Sequence, residues 1–141
     1  MQEKMRIVVG ILILFVLILC IVPTWPSGCA PRPKSLAVAQ VNNLCFACRE
    51  FRHELGCFPT GTMAQVCQAL TGSNQQNLVF DELPPEQVSS TGAFLDPWGT
   101  EYQIEFAGST GVVVRSAGKD RAWGTKDDIA RQWVAQQSPR P

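Results

Sequence analysis

The sequence predicts an α+β domain behind an apolar N-terminal segment, and three observations carry the prediction. Residues 35–55 repeat apolar side chains at helical spacing. The stretches "TEYQIEF" and "GVVVRS" alternate as short strands on either side of Gly108-Ser109-Thr110, and the mixed-charge stretch "SAGKDRAWGTKDDI" follows them directly. Helices first and a hairpin afterwards point to a small antiparallel sheet covered by an amphipathic helix. A length of 141 residues suits one modest domain, and twelve basic residues against twelve acidic ones leave no net charge. With no basic cluster along the chain, phosphate-backbone recognition is excluded and no nucleic-acid partner is expected.

From residue 7 to residue 22 the chain reads "IVVGILILFVLILCIV", without a charge or a proline, behind Lys4 and Arg6. As a helix these residues span roughly 24 Å, slightly less than the hydrocarbon core of a bilayer, and Trp25 suits the interface beyond it. The expectation is an uncleaved, single-pass transmembrane anchor over residues 1–22, with the remainder exported. Four prolines in "PTWPSGCAPRP" make residues 23–34 an extended linker.

A new helix is expected from a Ser35 cap to about Leu55, with Gly56 as its stop. At 100° per residue, Ala37, Val41, Leu44, Cys48, Phe51 and Leu55 share one stripe, so this helix lies on a core. "TMAQVCQALTG" fits a second, shorter helix over residues 62–70, ended by Gly72. "NLVFDEL" is a strand or an extended segment, and Asp96-Pro97-Trp98-Gly99 has the residues of a type I turn. The hairpin follows, and residues 135–141 form a tail.

Three constellations carry potential chemistry. Cys45, Cys48, His53 and Cys57 are residue types that bind zinc tetrahedrally, which makes a zinc-binding module one alternative function, beside a secreted or lipid-anchored domain. On a continuous helix, however, Cys48 and His53 stand about 140° apart. Cys57 and Cys67 can instead bridge the two helices, or Cys48 and Cys67 can be buried as small apolar residues. In the third constellation, Asp120, Asp127 and Asp128 supply hard oxygen ligands while Gly118 and Gly124 let the backbone turn, which is what calcium requires. The competing reading takes Thr125 to Asp128 as a capping box that opens a helix through "DDIARQWVAQQ". From the residues alone the cap is the simpler reading. No nucleophile, base and oxyanion arrangement stands out, so no catalytic residue is assigned and no small-molecule substrate is expected.

Taken in order, "LGCFPTGTMAQVCQAL", "LDPWGTEYQI" and "SAGKDRAWGTKDDI" resemble the major pseudopilins of type II secretion systems over residues 35–133. The resemblance implies a pilin-like domain over residues 35–134 with a C-terminal calcium loop. Asp120, Asp127 and Asp128 match the family's acidic positions, Ser116 matches the start of the loop, and the cofactor is calcium in a structural role. It reverses the preference for the cap. The glycine that usually follows the first aspartate of the loop is Arg121 here. The chain also lacks the family's usual prepilin start, since Gly10 is followed by Ile11-Leu12-Ile13-Leu14 with no glutamate at the fifth position. The function so implied is a membrane-anchored, non-enzymatic component related to type II secretion, with a calcium-stabilised domain. It would sit in the bacterial inner membrane as a single-pass protein with its C-terminal domain in the periplasm. Its partners would be other pseudopilins or secretion-system subunits.

Overall fold

The computed structural model describes residues 32–135. Helix α1 spans Pro33–Leu55, α2 spans Met63–Leu70, and a single 3-10 turn occupies Pro85–Gln87. Strands β1 (Gln103–Ala107), β2 (Gly111–Ser116) and β3 (Ile129–Val134) form one antiparallel sheet in the order β1-β2-β3.

Helix α1 begins two residues earlier than the sequence suggested. Pro33 occupies its first turn, where a missing N–H costs nothing, and Ser35 Oγ donates to the Arg32 carbonyl (2.8 Å) instead of capping. The helix stops at Gly56, whose left-handed backbone (φ 79°) lets its N–H reach Arg52 O at 2.9 Å. The expected stripe is buried from Ala37 to Phe51, with Leu55 half-buried at the end. Gln40 and Cys45 widen it, and Gln40 is there for a polar reason: its Oε1 accepts the Tyr102 hydroxyl (2.7 Å), and its amide donates to Gln87. Helix α2 opens on a reciprocal capping box in which Thr62 Oγ1 accepts the Gln65 N–H and Gln65 Oε1 accepts the Thr62 N–H. "NLVFDEL" is extended without strand pairing.

The core lies between α1 and the sheet. Val41, Leu44, Cys48 and Phe51 meet Ile104, Val112 and Val114, and Val66, Cys67 and Leu70 of α2 close one side with Phe58, Phe94 and Tyr102. The hairpin forms as read, with Ile104 opposite Val114 and Ala107 opposite Gly111. The third strand overturns the helix-cap reading: "IARQWV" pairs with β2 from Ser116 opposite Ile129 to Gly111 opposite Val134. Without that strand β2 would be an edge, and the domain's most buried strand would offer unpaired backbone groups to solvent.

The membrane-spanning helix in the expected fold is corrected. Among the described residues no helix is long and apolar enough to cross a membrane. The residues that carried the expectation, 1–22, lie outside the described part, as do most of the linker and the end of the tail. The fold established here is the α+β domain alone, and the single-pass inner-membrane placement with a periplasmic domain has no support among the described residues.

Candidate functional site

Residues 117–128 connect β2 to β3, and the pair Ser116–Ile129 closes their base. Within this loop Gly118 takes a left-handed backbone (φ 71°) and packs directly on the Asp127 carbonyl, leaving no room for a Cβ. Arg121 also takes a left-handed backbone (φ 58°), and its N–H closes a turn onto Gly118 O at 3.3 Å.

The acids hold the loop's own amides. Asp120 is exposed, and its Oδ1 accepts the Ala122 N–H (3.1 Å). That bond, followed by one from the Thr125 hydroxyl, holds its carboxyl below the usual carboxylate range. The Asp127 N–H donates to Thr125 Oγ1 at 3.2 Å. Asp128 Oδ2 accepts the Gly124 N–H at 2.9 Å, while Asp128 Oδ1 is buried with no hydrogen-bond partner. Thr125 therefore organises the acids as a turn and caps no helix, because Asp128 leads directly into β3.

A residue that sequence reasoning placed only in a turn anchors the loop from outside. Asp96 is 3% exposed, and its Oδ1 accepts the Trp98 and Thr100 N–H groups at 3.0 and 2.9 Å. Its Oδ2 accepts Ser116 Oγ–H at 2.7 Å, and Ser116 Oγ in turn accepts the Gly118 N–H at 3.1 Å. This relay ties the turn before β1 to the first residues of the loop. The available signal was the Asp-x-Trp-Gly spacing, since an aspartate opening a turn captures the amide two residues on. Ser116 Oγ is committed to this relay.

The acids also form a looser group than the sequence implied. Among the described residues no three His, Cys, Asp or Glu side chains converge as metal ligands. Asp120, Asp127 and Asp128 belong to one loop without forming a ready-made cage: Asp120 accepts the Ala122 N–H and Asp128 the Gly124 N–H, so these two carboxylates serve different turns.

The same finding removes the zinc alternative. Cys45 and Cys48 are buried under α1, His53 stands exposed with Nδ1 2.9 Å from Glu54, and Cys57 is exposed beyond Gly56. The helix runs unbroken through Cys45, Cys48 and His53, so its periodicity spreads them around the axis. All four described cysteines are free, and Cys57 and Cys67 are not joined. Cys67 is committed to the core, where its Sγ accepts the Phe94 N–H at 3.3 Å. Burial pushes the Cys67 thiol up to about 11 and raises Cys48 further, so both behave as packing groups at neutral pH.

Residues 32–132 match the family described as type II secretion system, protein G. The chain belongs to this family. No curated protein and no solved structure matches the chain. The match extends from the residue before α1 into β3, so it takes in both helices, the sheet and the loop. The protein G family is structural, and the chain is not an enzyme. Arg121 stands where the resemblance implies glycine, and its backbone adopts the glycine-like left-handed conformation regardless.

Proposed function

We propose that the chain is a structural subunit that packs against other pseudopilins, and that calcium holds its β2–β3 loop closed. Membership of the protein G family implies a place in a multiprotein assembly of the type II secretion kind. The match through every element of the sheet and both helices is the observation that carries the structural-subunit reading, since the whole folded region is accounted for by it.

The calcium part is supported by one atom. A buried carboxylate oxygen without a partner costs about 1–3 kcal/mol, and Asp128 Oδ1 is such an atom. A divalent cation would satisfy it. Asp128 and Asp120 would hold the ion, Asp127 would adjust the turn, and backbone carbonyls would complete a coordination shell that calcium needs to be rich in oxygen. Ser116 would act through the backbone, because its hydroxyl already bridges Asp96 and Gly118. Bound calcium would supply charge neutralisation within the loop, and its binding free energy would add to the stability of the folded state.

Calorimetric titration of the full chain with calcium, paired with thermal unfolding with and without chelator, tests this part. The expected result is one ion per chain and a melting temperature that falls on chelation, with both effects lost in Asp128→Asn. Stability indifferent to chelator, together with no heat of binding, would contradict it.

A further inference from the structure

The two flanks of α1 differ in charge and face opposite ways. Counting about 100° per residue from Gln40, Phe51 falls at about 20°, whereas Asn42, Cys45, Arg49 and Arg52 fall between about 120° and 200°. On the first flank Gln40 bonds Gln87 and Phe51 packs on Phe80, so the segment of residues 80–87 lies there. This segment carries Glu82 and Glu86, both exposed and, among the described residues, without an ion-pair partner. On the second flank lies β3, and between it and α1 runs a groove of about 320 Å³ lined by Phe46, Arg49, Arg131 and Trp133. Arg49 lies 4.5 Å above the centre of the exposed Phe46 ring and already pairs with Glu50 at 2.8 Å, and Arg52 lies over the Trp133 ring. The unpaired cation of the groove is Arg131, which is exposed and, among the described residues, has no carboxylate partner. Strand β3 is bonded on one side only, so this flank also ends in an open sheet edge.

We propose that the Arg49/Arg131 groove of one copy receives the Glu82/Glu86 segment of a second copy. This deepens, and rests on, the reading of the chain as a structural subunit. Charge complementarity selects the occupant: each domain carries an exposed acidic segment on one side and an arginine and aromatic groove on the other. The two surfaces are different, so the contact is heterologous. Repetition of such a contact builds species larger than a dimer, a ring where the rotation closes and an open array where it does not, and a two-fold dimer does not form. Prolines 84 and 85 cannot supply the N–H groups of an added strand, so side chains carry the contact at the open edge.

The test is sedimentation of the full chain and its charge reversals over a range of protein and salt concentrations. Wild type is expected to form species larger than dimers that shrink as salt rises from about 50 mM to about 500 mM. Arg131→Glu alone, and Glu82→Lys with Glu86→Lys, are each expected to weaken association about tenfold, with an unchanged circular dichroism spectrum confirming the fold. Mixing these two variants restores both pairings between unlike chains, the native groove on the native segment and the reversed groove on the reversed segment, so the larger species return in the mixture though neither variant forms them alone. The variant carrying all three reversals recovers the larger species. A wild-type chain that stays monomeric, or reversals that leave association unchanged, would overturn the contact. The subunit reading is read separately, by crosslinking to other secretion subunits: a monomeric chain that still crosslinks to them sinks this contact alone.

Discussion

At Gly118 a single methyl group would overlap the Asp127 carbonyl, and the left-handed backbone there adds strain for any other residue. Gly118→Ala is therefore expected to cost about 2–4 kcal/mol in urea unfolding, from overpacking and backbone strain together. Asp81 offers a test of charge. Its Oδ2 is buried without a partner, and burial raises its carboxyl above the ordinary 3.8 despite the Glu82 N–H on Oδ1. The folded chain then keeps a proton that the unfolded chain has released, so stability falls as pH rises from about 3.8 to the higher folded value. Asp81→Asn is expected to be more stable than the parent at about pH 7 and to lose that advantage at about pH 3, where both side chains are neutral. Equal unfolding midpoints at both pH values would contradict the burial of that charge. Gly118 was legible as a turn glycine but not its contact with the Asp127 carbonyl, and the burial of Asp81 was not legible, because both depend on how the folded chain packs.

Among the elements, α1 and the hairpin were legible and β3 was not. The stripe through Val41, Leu44, Cys48 and Phe51 follows from one period, and Gly111 opposite Ala107 follows from a short connection between two β-branched runs. "IARQWV" has no such alternation: Ile129 and Trp133 are half-buried and the other four residues are exposed, and two aspartates before it imitate a helix start. Its pairing with β2 decides its state, and that is a tertiary effect. In the candidate loop the glycine turns at Gly118 and Gly124 were legible, while the Asp96–Ser116–Gly118 relay that fastens it crosses from another turn and was only half visible. Helix α2 is short enough for its cap to matter. Thr62→Ala removes one arm of the capping box and is expected to cost about 1 kcal/mol, read as a lowered urea midpoint at unchanged slope. No change in the midpoint would mean that packing of Val66, Cys67 and Leu70 alone sets the helix.

For the whole molecule, the described residues give a helix-covered three-stranded sheet whose family is structural, and nothing in that arrangement requires a reaction. Function at this scale is placement: a rigid core under α1, a fastened loop at one end, and two flanks of different charge. The central claim is that the chain is a subunit of a secretion assembly. Crosslinking of the full chain in cells that carry it together with type II secretion subunits, followed by mass spectrometry of the linked peptides, tests this most directly. The account predicts links from exposed residues of 32–135 to other pseudopilins. Links confined to proteins outside any secretion assembly would contradict it.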